Sequence, residues 1–113
     1  MVDIRPVDWS MIRGDTLSFN IEIEDLEVDL ASMVFTCRTY KGREIVFQKT
    51  LGDGCAKVET EDSTSAKYNV RVAPEDTAEL SPGKYRIDLQ IGWGTDVYTP
   101  IRGNLNILDD ETY

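Results

Sequence analysis

The stretch Ala73-Pro74-Glu75-Asp76-Thr77-Ala78-Glu79-Leu80-Ser81-Pro82-Gly83-Lys84-Tyr85-Arg86-Ile87-Asp88-Leu89-Gln90-Ile91 decides the fold. Its second half alternates, with Tyr85, Ile87, Leu89 and Ile91 on one side and Arg86, Asp88 and Gln90 on the other. That is the period of two of a half-buried strand. Its first half breaks the period. Pro74 suits the first position of a helix, and Glu75 and Asp76 sit at the positive end of the helix dipole. Ser81-Pro82-Gly83 stops the helix, so a single helical turn fits near residues 74–80.

Outward from this stretch the chain reads as strands and turns. Gly92 to Asp96, "GWGTD", makes a hairpin tip, and the returning strand keeps one inward parity through Val97, Thr99, Ile101, Leu105 and Ile107. Upstream, Leu17, Phe19, Ile21 and Ile23 alternate with Ser18, Asn20 and Glu22, and Phe35 and Cys37 with Thr36 and Arg38. Lys41-Gly42 turns residues 33–40 into 44–50 as a hairpin, and Asp53-Gly54 reads as a type I′ pair leading into 55–60. Tyr68, Val70 and Val72 alternate with Lys67, Asn69 and Arg71. About seven to eight short strands with a single helical turn predict an all-β, antiparallel sandwich or barrel. A one-turn crossing followed by a strand that opens on an inward tyrosine favours an immunoglobulin-like β-sandwich, whose corner tyrosine bonds upstream backbone through its hydroxyl. Ile87 stands where an antibody domain has its second cysteine.

Arg13-Gly14-Asp15 spells the tripeptide that adhesive proteins show to integrins. A second version, Ile101-Arg102-Gly103-Asn104, lies in the last strand. Glycine in a strand pattern marks a bulge or a close backbone approach, and a neighbouring Asp or Asn tolerates unusual dihedrals. Both are read as structural kinks, and no integrin binding is expected.

Composition narrows the function classes. The 113 residues make one domain, 1–113, with a polar tail at 109–113. A net charge of −9 argues against nucleic acid and anionic membranes as partners. The acidic run from Glu22 to Asp29 reads as a solvated strand end and loop; calcium is the alternative, but the spacing matches no EF-hand loop. No apolar run reaches the ~20 residues that span a bilayer, and no secretory signal opens the chain. Synthesis in a cytoplasm is expected. Cys37 and Cys55 are read as buried thiols rather than a disulfide. Histidine is absent, which removes the usual general base and commonest zinc ligand, and no nucleophile elbow or phosphate loop appears. No catalytic, metal or cofactor residue is assigned.

The order of motifs resembles a group of small bacteriophage structural proteins that includes the N-terminal domain of the baseplate upper protein of phages infecting Gram-positive bacteria. The resemblance runs from about Ile12 to Leu108, carried by the early Arg-Gly-Asp, the segment Pro74-x-Asp76-Thr77-Ala78-x-Leu80-x-Pro82-Gly83-x-Tyr85, and the late Arg102-Gly103-x-Leu105. It implies an immunoglobulin-like assembly module of a virion or prophage particle, whose partners are other phage structural proteins or copies of itself. A baseplate subunit would add a large C-terminal region, and this sequence stops at Tyr113, so a stand-alone accessory protein is an equal expectation. Trp93, Tyr98 and Pro100 are the candidate partner contacts, with the competing reading that Trp93 folds over the open end of the core. Arg13, Gly14, Asp15, Tyr85 and Gly103 are assigned structural roles. An immunoglobulin-like module recognising carbohydrate or a surface protein is the alternative function. An intracellular inhibitor has no support beyond the acidity.

Overall fold

The structure, a computed structural model, describes residues 5–24, 30–58 and 65–109. Residues 1–4, residues 25–29 of the acidic run, residues 59–64 with the end of the strand expected at 55–60, and the tail residues 110–113 lie outside the described residues. The chain is all-β: β1 (Arg5–Ile12), β2 (Leu17–Glu24), β3 (Ser32–Thr39), β4 (Ile45–Leu51), β5 (Gly54–Val58), β6 (Ser65–Val72), β7 (Gly83–Trp93) and β8 (Asp96–Leu108). One helical turn, α1 (Pro74–Thr77), precedes β7. The strands form an eight-stranded sheet in the order β1-β8-β7-β3-β4-β5-β6-β2. The sheet curls until its edges nearly meet, and Trp9 of β1 packs on Phe19 of β2 with ring centroids 4.8 Å apart.

The core follows the alternation. Phe35, Cys37, Val70, Val72, Leu89, Ile91 and Leu105 are fully or almost fully buried, with Tyr68, Ile87 and Ile107 beside them. Phe19, Phe35 and Phe47 form an aromatic chain across it, at centroid separations of 5.3 and 6.3 Å. Tyr68 is buried, so its hydroxyl needs a partner, and it accepts the Leu30 N–H at 3.0 Å. Thr36, expected on the outer face, is nevertheless buried, and its hydroxyl accepts from Gln48 at 3.0 Å.

Three expectations are corrected. The sheet is not wholly antiparallel, because β1 runs parallel to β8, from Arg5↔Ile101 to Ile12↔Leu108. Parallel neighbours need a long connection, and here nearly the whole chain supplies it. Second, Asp53-Gly54 is not a type I′ hairpin. That turn needs positive φ at both centres, whereas the positive values fall on Gly52 (φ 86) and Gly54 (φ 102). The chain therefore arches from β4 into β5 through a short parallel contact, Thr50↔Gly54 and Leu51↔Cys55, and β5 goes on to pair with β6. A Cβ on Gly54 would lie 2.5 Å from Lys49 Cδ, so glycine lets the Lys49 stem pass and place its ammonium 2.6 Å from Asp76. Third, the inward parity of β8 does not hold throughout. The β7–β8 register shifts between Leu89↔Ile101 and Ile91↔Tyr98, leaving one extra residue in β8 at Thr99-Pro100. Across that bulge the faces exchange, so Val97 is 66% exposed while Tyr98 packs against the core.

The Lys41-Gly42 hairpin is present, with β3 and β4 antiparallel. Its loop closes through Arg43 N–H to Thr39 O (3.1 Å) and Thr39 N–H to Glu44 O (2.9 Å). Arg43 takes φ 59, uncommon for a residue with a side chain.

Candidate functional site

Three places on the molecule stand out, two of which gather the residues singled out above. The first is the turn joining β1 to β2. Asp15 N–H returns to Ile12 O at 3.0 Å, which folds Arg13 and Gly14 into a tight turn with Gly14 at φ 85. The turn is tied to α1 and to the end of β8. Gly14 N–H donates to the buried Thr77 hydroxyl at 2.9 Å. The Arg13 guanidinium donates to Leu80 O and to Asp109 Oδ1, each at 3.3 Å, and its backbone N–H bonds Leu108 O at 2.9 Å. Asp76 Oδ2 accepts the Ala73 N–H at 2.7 Å and so holds the start of the helical turn. The buried Tyr85 donates its hydroxyl to Ser81 O at 2.7 Å, just past that turn. Burial raises the Tyr85 phenol above its ordinary value, and the Cys37 sulfur adds to the rise. Arg13, Gly14 and Tyr85 thus act on one crossing, while Asp15 itself is exposed.

The second place is the β7–β8 hairpin end. Trp93 and Tyr98 stack at 4.9 Å with ring planes 26° apart, and both lean on the core. Pro100 is at the bulge, where a residue without an N–H removes no regular ladder bond. Tyr98 and Pro100 therefore do not share one outward face as the sequence suggested. Gly103 lies within β8, opposite Val7, and a Cβ there would sit 1.9 Å from Val7 O. Its role is close backbone approach rather than a bulge. Trp9 of β1 packs against the core. A groove of about 370 Å³ lined by Asp8, Trp9, Ser10, Leu17 and Phe19 opens where the β1 and β2 edges face each other. Its one carboxylate, Asp8, accepts a hydrogen bond from Asn106 at 2.9 Å.

The third place was not picked out from the sequence. Tyr40, at the end of β3, is 38% exposed, with the Arg86 guanidinium 4.4 Å and the Lys84 ammonium 5.6 Å from its ring centroid. Arg86 Nε also donates to Tyr40 O at 3.2 Å. Arg38 stands directly opposite Arg86 across the β3–β7 ladder and is paired with Asp88 at 3.1 Å. Alternation marks Lys84, Arg86 and Arg38 as outward, but their meeting depends on a pairing between strands about 50 residues apart.

Cys37 and Cys55 are buried free thiols. Burial pushes Cys37 up to about 12 and Cys55 up to about 11, where Lys49 partly offsets it. A thiol held protonated makes a poor nucleophile at neutral pH. Among the described residues no three Cys, Asp or Glu side chains are grouped to hold a metal ion. Compared with models of known protein families and with curated proteins, the chain matches none.

Proposed function

We propose that the chain is a non-enzymatic phage or prophage structural protein, a virion, tail or baseplate component that acts through protein–protein contacts. The observation that carries this reading is where the resembling motifs go. Arg13-Gly14 binds Thr77 and Leu80 of the second motif, and Tyr85 of that motif closes on Ser81. Motifs that hold one another in this way describe a shared scaffold, which is what an assembly module needs from its sequence. The finer fold reading belongs here too. Taking the short β4–β5 contact as a hinge, β1-β8-β7-β3-β4 faces β5-β6-β2 as an immunoglobulin-like sandwich, and the Tyr85–Ser81 bond is the tyrosine corner of such a domain.

One observation favours the alternative, a module that recognises carbohydrate or a surface protein. The Trp93–Tyr98 stack is half-buried at one end of the molecule, where an aromatic pair can offer a platform. Light scattering over a concentration range separates the two. A multimer of fixed mass, independent of dilution, supports the structural role. A clean monomer that gives a glycan-array signal overturns it in favour of the binding module.

A further inference from the structure

The described faces of the molecule differ in charge. Five of the chain's 12 Lys and Arg residues, Arg38, Lys41, Arg43, Lys84 and Arg86, lie around Tyr40 or in the loop that follows it. Two of its 21 acidic residues, Glu44 and Asp88, lie there too. The patch is thus +3, and the remaining seven basic and 19 acidic residues leave −12 for the rest of the chain.

The patch is also costly to the isolated molecule. Arg38 and Arg86 are like charges placed directly opposite across a ladder, an arrangement that destabilises a sheet. Asp88 answers Arg38, but among the described residues no carboxylate pairs with Lys84 or Arg86, whose cations rest against the Tyr40 ring. Beside them the exposed Arg43 is held at φ 59. Tyr40, at 38%, and Ile45, at 54%, add exposed apolar surface. Exposed aromatic surface with arginine is the composition of an interface centre. A local rule broken at a surface without an internal gain points to a partner.

We infer that this patch is a docking surface for a carboxylate-rich protein face, and that its occupant is a second copy of this chain. The inference rests on the assembly reading above and names the contact for it. Charge complementarity selects the occupant, because outside the patch the sequence carries 19 acidic against seven basic residues. It also sets the symmetry. Patch against patch would oppose +3 to +3, so a two-fold contact whose axis passes through it is repelled. The contact joins two different surfaces, the patch and an acidic one, and where it is heterologous it propagates into rings or filaments.

Sedimentation velocity of the full chain in about 20 mM and about 500 mM NaCl tests this, since screening weakens exposed charge contacts. The wild type is expected to associate at low salt and to dissociate at high salt. The K84E/R86E variant is expected to associate at least about tenfold more weakly. The K41E/R43E variant, confined to the loop, is expected to do the same, and thermal unfolding confirms that each stays folded. A monomer at both salts overturns docking between copies while leaving assembly with other virion proteins intact. A multimer insensitive to salt and to both variants overturns the patch and leaves the assembly reading standing.

Discussion

Ile12-Arg13-Gly14-Asp15 and Ile101-Arg102-Gly103-Asn104 are nearly the same tetrapeptide, yet their glycines answer different physical demands. Gly14 has open space around the position of a Cβ, and its backbone is in the left-handed region. It is glycine because of conformation. Gly103 lies in an extended strand and needs no unusual dihedral, but the Val7 carbonyl occupies the place of a side chain. It is glycine because of space. The arginines differ as well, since Arg13 reaches Leu80 and Asp109 while Arg102 is exposed. A repeated motif in a β-protein can therefore record two unrelated constraints.

The comparison can be broken most forcefully at Gly103. Gly103→Ala forces β1 away from β8 and should cost about 3 kcal/mol, read as a lower denaturant midpoint. High pH acts instead on the Arg13 side, through Tyr85 and the Cys37 beside it. The folded Cys37 thiol titrates at about 12 against an ordinary 9.0. Its contribution is complete below about pH 9 and is lost as pH rises toward 12, because the unfolded thiol ionises first. Thermal unfolding between about pH 9 and 11 should show a loss of about 1.4 kcal/mol per pH unit from this thiol. Cys37→Ala should flatten that slope, whatever it does to stability at neutral pH. Gly14→Ala puts a Cβ into a left-handed turn with room to spare, so about 1 kcal/mol is expected, clearly less than at Gly103. An equal or larger loss at Gly14 would reverse the assignment of the two glycines. Asp15→Glu should change stability by less than about 0.5 kcal/mol and leave cell attachment at background. Loss of an integrin-dependent attachment in that variant would restore the adhesive reading.

What was legible in the sequence was whatever repeats with period two. The inward faces of β2, β6 and β7 followed from alternation because each of these strands has one wet and one dry side. In β3, by contrast, Thr36 is buried as well as Phe35 and Cys37. The helical turn was legible because Pro74, two acids and Ser-Pro-Gly each have a local reason to be there. Other features were set at long range. Nothing within residues 5–12 says that their partner is β8 and that the two run parallel. The bulge at Thr99-Pro100 exchanged the faces of Val97 and Tyr98 because one additional residue reverses parity for everything beyond it. The cluster at Tyr40 was invisible for the same reason, since its cations belong to separate strands and loops.

The pairing of β1 with β8 has a consequence in time. β1 is made well before β8, yet the two are matched residue for residue, with Arg5 opposite Ile101. Its neighbour across the Arg13-Gly14 turn, β2, waits for β6, with Leu17 opposite Val72. Both strands must therefore wait unpaired on the ribosome for partners made much later, β8 and β6. Contacts so distant along the chain slow folding, and they leave two strand edges open to neighbouring nascent chains until β6 and β8 arrive.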